Sequence, residues 1–533
     1  MLHQVELTLS PEQASAEENY LPLAAEEAKV SEKEITFHRI LRRSIDARGH
    51  KVRVNLALQL VVGEPAEKYA RRHTEFNYGQ VGHRPAVVIV GAGPAGMFAA
   101  LRLIELGIKP IVLDRGKEVI GRRKDIGRLN TKHIVNPNSN YSFGEGGAGT
   151  FSDGKIYTRS KKRGDLQKIL EIFYQHGAQE DILYEAHPHI GTDRLPKIVT
   201  AIRQTISASG GQMHFNTKVT DILLKDGKAV GVEVVGVKED GQEAEPETRQ
   251  QVMGEGVILA TGHSARDIYE LLHQKGIQLQ EKAFAMGVRI EHPQDLIDSI
   301  QYSCEVRDDY LPAASYNLAN QIDGRGVYSF CMCPGGYIVS SSTSPDEVVV
   351  NGMSPSTRNS PFANSGMVVE IRPEDYAHLA EHGVLAGLRY QQQLERWAFT
   401  NGGKGQTAPA QLMTDFVQKR ISQHLPETSY RPGIISSPIH FWMPESISSR
   451  LRKAFLNFGR QMKGYLTDEA VVVAMESRTS SPVQIPRDKD SLEHPQIQNL
   501  YPCGEGAGYA GGIMSAAMDG EKCAERIAAK VKI

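Results

Sequence analysis

The sequence predicts an α/β fold: a βαβ nucleotide-binding unit, interrupted by a mixed α+β insert and preceded by a small α+β module. Three observations carry this. A short apolar strand runs into a Gly-x-Gly-x-x-Gly turn and a helix, two more glycine turns follow far along the chain, and a long middle segment differs in texture from both. At 533 residues the chain exceeds one ordinary core, so two or three domains are expected.

Residues 1–80 hold strand-like runs at Val5–Leu9 and Val52–Val62, separated by a Glu/Ala/Lys-rich stretch of helical composition and the basic segment Arg39–Arg48. This reads as a small α+β module of ferredoxin-like type. Tyr69–Pro85, polar and ending in proline, reads as a linker, and a new domain opens near Ala86.

Ala86–Val90 is a β-branched run followed by Gly91-Ala92-Gly93-Pro94-Ala95-Gly96 and a helical stretch to Leu106, stopped by Gly107. Gly91 permits the tight turn, Gly93 lets backbone amides approach a pyrophosphate, and Gly96 lets helix and strand pack closely. The helix N-terminus then faces the phosphates. A second apolar run, Pro110–Leu113, ends in Asp114, where a carboxylate can accept hydrogen bonds from ribose hydroxyls. This is the Rossmann-like fingerprint, with Asp114 favouring FAD or NAD. Arg115, the next residue, leaves NADP(H) open.

Downstream, Lys197–Ser209 is helical and is stopped by Gly210–Gly211. Alternating runs at Met213–Leu224, Ala229–Val237 and Gln251–Leu259 predict a β-meander, with Glu239–Arg249 as a disordered-leaning hairpin tip. The middle, about 280–440, is rich in Ser, Pro and Gly. It carries strand-like pieces at Tyr337–Ser341, Val348–Val350 and Val368–Ile371 and a helix around Gly387–Phe399, and reads as an inserted substrate domain.

Bulk properties narrow the partners. Lys plus Arg total 61 against 63 Asp plus Glu, a net charge of −2, which gives no footprint for nucleic acid or an anionic membrane. The acidic N-terminus lacks the pattern of a signal peptide, and no run approaches the ~18 apolar residues of a membrane span. A cytoplasmic protein acting on a small molecule is expected, with its oligomeric state open. The five cysteines, Cys304, Cys331, Cys333, Cys503 and Cys523, form no zinc pattern, so neither a metal nor structural disulfides are expected.

Two segments favour a flavin over a nicotinamide nucleotide alone. Gly256-Val-Ile-Leu-Ala260-Thr261-Gly262 resembles the Ala-Thr-Gly motif of two-dinucleotide-fold flavoproteins. Leu500 to Ala517 runs from strand through Gly504-Glu505-Gly506 and Gly511-Gly512-Ile513 into a small-residue helix. Glu505 can hydrogen-bond ribityl hydroxyls, and the helix beginning near Gly512 can point its positive end at the flavin N1–C2=O region.

With FGEGGAGTFSDGKIYTR (143–159), FCMCPGGYIVSSS (330–342), ESRTSSPVQIPRD (476–488) and YPCGEGAGYAGGIMSAA (501–517), the chain resembles the uncharacterised FAD-dependent dehydrogenases. These are NAD-utilising dehydrogenase-like flavoproteins of the glutathione-reductase superfamily. The resemblance runs from about residue 86 to the C-terminus and touches the N-terminal module. It implies an FAD domain built from 84–275 and 440–533, interrupted by a substrate or cap domain at 276–439. It also implies a backbone contact from Val219 to adenine, and flavin contacts from Gly147, Ala148, Thr150 and Lys155. Many relatives carry Asp where this chain has Glu505, one methylene longer.

No catalytic constellation stands out. His263 and His440 are candidate proton donors, Arg478 a candidate anion holder or carboxylate partner, and Arg122-Arg123-Lys124 either approach the pyrophosphate or are solvated surface. Cys331 and Cys333 alternate on a strand as small hydrophobes or as a flavin-coupled pair; Cys503 reads as structural. The expected function is transfer of two electrons between FAD and a small organic substrate, with NAD(P)H open as transient donor. An isoprenoid-type double-bond reductase, a monooxygenase-like enzyme, a redox sensor and a tRNA-modification-type flavoprotein are the alternatives.

Overall fold

The computed structural model describes residues 1–49, 51–70, 73–158 and 164–531. Arg71 and Arg72 of the expected linker, and Arg159 at the end of the 143–159 segment, lie outside them.

The N-terminal module consists of β1 (Leu2–Leu9), a helix (Glu17–Ala28), β2 (Ile35–Asp46) and β3 (Arg53–Val62), with the antiparallel order β1-β3-β2. Alternate residues Val54, Leu56, Leu58 and Leu60 of β3 turn inward against Tyr20 and Ala24 of the helix, the period of two that defines a half-buried strand. The basic segment read above as a separator is most of β2, drawn into the sheet by pairing with β3. A full ferredoxin-like plan adds a second helix and a fourth strand; among the described residues this sheet has three. The module docks through backbone: Arg43 N–H donates to Tyr184 O and Ala186 N–H to Arg43 O, each at 2.9 Å.

The nucleotide-binding unit is a parallel sheet. Its strands are β4 (Ala86–Val90), β5 (Lys109–Leu113) and β6 (Gln212–His214), joined later by β10 (Val257–Leu259). Between them, β7 (Thr217–Lys225), β8 (Lys228–Gly236) and β9 (Gln250–Met253) form a separate antiparallel sheet. The predicted meander is therefore shorter at both ends. Asn216, at φ 51°, turns the chain out of β6 before β7 begins. Gly254 separates β9 from β10, and an added Cβ there would lie 2.9 Å from Ala86 O.

The middle of the chain builds a larger sheet from β12 (Phe284–Pro293), β13 (Ala319–Ile322), β14 (Arg325–Cys333), β17 (Phe362–Ile371), β18 (Ala408–Leu412), β19 (Ile434–Ser436) and β20 (Val471–Glu476). Its order is β13-β14-β17-β12-β20-β18-β19, antiparallel except between β18 and β19. Val288, Ile290, Met367, Val369 and Val472 form its core with Leu451, Phe455 and Phe458 of the helix Glu445–Gln461 and Leu394 of the helix Ala386–Asn401. The expected break between 439 and 440 lies inside this core, where Ile439 and Met443 are both buried. A hairpin of β15 (Tyr337–Ser340) and β16 (Val350–Met353) lies against β12, tied by Arg289 to Asn351 at 3.2 Å. β11 (Gln280–Glu281) pairs with β21 (Val483–Gln484) where the chain leaves and re-enters this sheet. The last strand, β22 (Leu500–Pro502), completes the parallel sheet as β22-β10-β4-β5-β6, and the helix Ile513–Ala528 then covers the helix Pro94–Glu105.

Candidate cofactor site

The order β22-β10-β4 has a direct consequence: three neighbouring parallel strands end side by side, and each delivers one glycine turn. The first follows β4. Gly91 takes φ 106°, which L side chains rarely adopt, and a Cβ on it would lie 2.3 Å from Ala260 O in the second turn. A Cβ on Gly96 would lie 1.9 Å from Gly91 O, so helix and turn pack backbone to backbone. Gly93 differs, because the nearest protein atom to its Cβ position is Gly147 Cα at 3.9 Å. Nothing in the protein itself demands glycine at 93. Asp114 pins the turn: its two oxygens accept from Ala92 N–H at 2.9 Å and Gly116 N–H at 2.8 Å. Each oxygen keeps a lone pair for a ligand hydroxyl. Arg115 is ion-paired with Asp267 at 2.6 Å and lies over the Phe143 ring at 4.7 Å, so its charge is already matched.

The second and third turns interlock. A Cβ on Gly506 would lie 2.5 Å from Gly262 O, and Tyr269 O–H donates to Gly506 O at 2.7 Å. Gly504 N–H donates to Asp519 at 2.8 Å, and Arg487 pairs with that carboxylate at 2.6 Å. Gly520 lets the two helices touch, since a Cβ there would meet Ala95 O at 2.0 Å. The N-termini of both helices, at Gly93–Pro94 and Gly512–Ile513, open on one cavity, where their partial positive charges favour anionic groups.

A fourth loop, 140–155, closes the cavity, and a residue that does not line it holds the loop in shape. Arg122 is fully buried and donates to the carbonyls of Asn140 (2.9 Å), Tyr141 (3.1 Å) and Glu145 (2.5 Å), with its guanidinium over the Phe151 ring. Burial lowers its pKa to about 10. It thus serves neither the pyrophosphate nor the surface. Thr150 donates to Glu145 O at 2.7 Å, inside the same turn. Gly146 N–H donates to Ala92 O at 2.8 Å, which seats this loop on the first turn.

The cavity has a volume of about 540 Å³. Gly91, Gly93, Pro94, Ala95, Asp114, Arg115, Gly147, Ala148, Lys155, Val219, Ala260, Thr261, Gly262, Gly504, Glu505, Gly511, Gly512 and Ile513 all line it. Ala92, Gly96 and Thr150 do not; they build the turns from behind. The facing wall comes from the larger sheet, the hairpin beside it and the segment after β20: Phe330 and Cys331 of β14, Asn351 of β16, and Arg478 and Thr479. Phe330, Asn351, Thr479, Phe143 and Asp153 escaped the sequence reading. The unusual strings 143–159, 330–342 and 476–488 contain four of them, and Asn351 lies outside all three.

The polar groups at this wall are tightly partnered. Lys155 donates to Met332 O, forms an ion pair with Asp153 at 3.4 Å and stands 3.9 Å from Cys331 Sγ. Burial alone would lower its pKa, but the charges of Cys331, Cys333 and Asp153 outweigh that and raise it. Arg478 pairs with Glu347 and Glu395, so of its two expected roles the structure shows the carboxylate partner. His263 lines the cavity with Nε2 3.8 Å from Glu505, and burial lowers its pKa. His440 lies outside the cavity and accepts from the Gln411 amide at 2.8 Å. Cys503 is buried behind β22; the corner it shares with Asp519 and Cys523 is filled by the Arg487 guanidinium.

Interlocked glycine turns, two converging helix N-termini and a carboxylate with spare lone pairs fit an extended dinucleotide, and with the facing wall they define an FAD-binding flavoprotein. Comparison with known proteins agrees. Residues 84–125 match the FAD binding domain, residues 283–479 match the FAD-dependent protein, C-terminal domain-like family, and residues 1–61 match a domain of unknown function. An uncharacterised protein of Clostridium beijerinckii is 38% identical over 94% of this chain and 94% of its own. The chain belongs to the same family as that protein, a family of FAD-dependent flavoprotein oxidoreductases, and its cofactor is FAD. Mitochondrial dihydrolipoyl dehydrogenase of Canis lupus familiaris is 28% identical over 24% of this chain and 23% of its own. The solved structure of the flavin-dependent brominase Bmp2 aligns over 84% of this chain and 79% of that one, at 13% identity and a TM-score of 0.37. Among the described residues, no helix is long and apolar enough to cross a membrane.

Proposed function

We propose that this flavoprotein passes two electrons between FAD and a small polar organic substrate admitted between the glycine turns and the larger sheet. The observation that carries the reading is the two-walled cavity, one wall made of cofactor-type turns and the other of largely polar side chains from the larger sheet, the β15–β16 hairpin and the segment after β20. FAD, when bound, supplies the two-electron chemistry. Asp114 and Val219 hold the adenosine end, Gly91–Gly96 and the first helix N-terminus the pyrophosphate, and Gly504–Glu505 the ribityl chain. Ala260–Gly262 back that chain. Gly511–Ile513 with Gly147, Ala148 and Lys155 surround the ring. The cofactor domain on this reading is discontinuous, with the larger sheet as the inserted substrate domain.

The character of the second wall selects among substrates. Cys331, Asn351 and Lys155 are only partly buried, and an isoprenoid chain would cover their remaining exposed surface without offering new partners, a cost that favours a small polar substrate. His263, neutral at neutral pH because burial opposes its charge, can take up a proton beside Glu505.

Purified protein, mixed anaerobically with NADH and separately with NADPH while the flavin absorbance is followed, tests the reading. Rapid bleaching by either identifies the donor, and candidate acceptors then regenerate the colour. A protein that neither carries nor takes up flavin would refute the reading.

A further inference from the structure

We propose that Cys331 and Cys333 form a dithiol–disulfide couple that exchanges two electrons with the flavin. The inference rests on the proposed function and assigns that site a second redox centre made of the chain's own residues.

The geometry begins with a bulge. Phe330 opposes Gly366 on β17 and Cys333 opposes Asn364, so three steps on β14 face two on its partner. Cys331 absorbs the extra residue at φ 50°, a left-handed conformation unusual for a residue with a Cβ. In a regular strand the two thiols would point the same way and stand apart along it. The bulge instead brings Cys331 to the cavity wall beside Phe330 and Asn351, and leaves Cys333 fully buried behind it. The two remain neighbours: the Cys333 thiol donates to Cys331 O at 3.3 Å, which holds its sulfur against the bulge that carries Cys331.

The surroundings favour a thiolate at Cys331. The neighbouring Cys333 side chain is the largest influence and lowers its pKa; burial opposes this, and the charges of Lys155, whose Nζ stands 3.9 Å from the sulfur, and Arg289 assist. Asp153 faces the same group with the opposite effect, but Arg358 also holds its charge, at 3.1 Å. The Arg289 guanidinium donates to Cys331 O at 3.4 Å and is fixed by Glu476 at 2.8 Å, which anchors the bulge. A thiolate at the cavity wall with a second thiol against it is an arrangement for exchange rather than for packing.

The step balances within the site. The Cys331 thiolate and the Cys333 thiol join in one S–S bond. Two electrons and the Cys333 proton pass to oxidised flavin, leaving the flavin reduced and anionic. Negative charge moves from the Cys331 sulfur to the ring, and Lys155 remains protonated. The reverse step restores both thiols.

Anaerobic dithionite titration of the air-oxidised, FAD-loaded protein tests this, with free thiols counted after denaturation. The expected result is four electrons per chain, two for the flavin and two for the disulfide, with two more of the five cysteines becoming free. The tryptic peptide 326–358, which contains both cysteines and no other, should be lighter by two hydrogens before reduction. Cys333→Ser, and Cys331→Gly, which suits the left-handed backbone, should keep FAD and take two electrons only. Two electrons in the native protein, with five free thiols throughout, would overturn the couple while leaving the flavoprotein reading intact. If no flavin is found, that reading fails; the peptide mass in an oxidising glutathione buffer still decides whether the couple forms.

Discussion

The α-carbon of Gly96 rests against the carbonyl oxygen of Gly91, so closely that a methyl group on Gly96 would come within 1.9 Å of that oxygen. The blocking group is the Gly91 backbone, with the Ile89 side chain at 3.2 Å beside it, so Gly96→Ala must push the helix off the turn. A loss of about 3 kcal/mol is expected, as for other overpacked sites. Thermal unfolding of the apoprotein reads it directly, and unchanged stability would show that the turn yields.

Gly93→Val separates the demands of the ligand from those of the fold. The nearest atom to the added Cβ is 3.9 Å away, so the apoprotein should unfold within roughly 1 kcal/mol of the native chain. FAD affinity should fall on the order of 100-fold, because the side chain would occupy the pyrophosphate's approach. A variant that retains flavin would displace the pyrophosphate from this turn.

Arg122 acts at a distance from the ligand. Arg122→Met removes the donors from the carbonyls of Asn140, Tyr141 and Glu145 at once, which should cost about 3 kcal/mol. Amide exchange across 140–151 should accelerate and flavin binding weaken, although the side chain never lines the cavity. Unaltered protection there would mean the loop is held by other contacts.

Docking of the N-terminal module should depend on pH. Burial raises the pKa of Glu185 to about 7, against the opposing effect of Arg43, 3.6 Å away. A carboxylic acid raised in the folded state contributes stability that is fully present below its unfolded pKa. That contribution is lost as pH rises through about 7. Stability of the native chain relative to Glu185→Gln should therefore decline as pH rises from 4.5 to about 7, the window between the ordinary and the raised value. Two parallel pH profiles would exclude Glu185 as the source.

What could be read beforehand were the features enforced by local backbone geometry. Gly91, Gly96, Gly262 and Gly504 sit where side chains would collide or where φ is positive, and such demands leave glycines in recognisable strings. Asp114 was legible from its distance to those glycines. The facing wall was not, because Phe330, Asn351 and Thr479 meet the cavity through the pairings β14–β17, β15–β16 and β12–β20, which carry no local signature. Arg122 was misread for a similar reason: its charge suggested solvent or phosphate, whereas its partners are backbone carbonyls up to 23 residues away. β2 was hidden by its arginines, since its pairing with β3 supplies what its own alternation lacks.

The interlocking of Gly91 with Ala260, and of Gly262 with Gly506, also sets a timetable for synthesis. The turn after β4 leaves the ribosome long before the turn after β22 exists, and the whole larger sheet must be made in between. Until β22 arrives, the edge of β10 stands open, and the apolar face of the helix Pro94–Glu105 awaits its cover. The flavin thus cannot guide the first half of the nascent chain; it can only lock a molecule already assembled, and chains stalled before that point leave bare the faces that β22 and the last helix later cover.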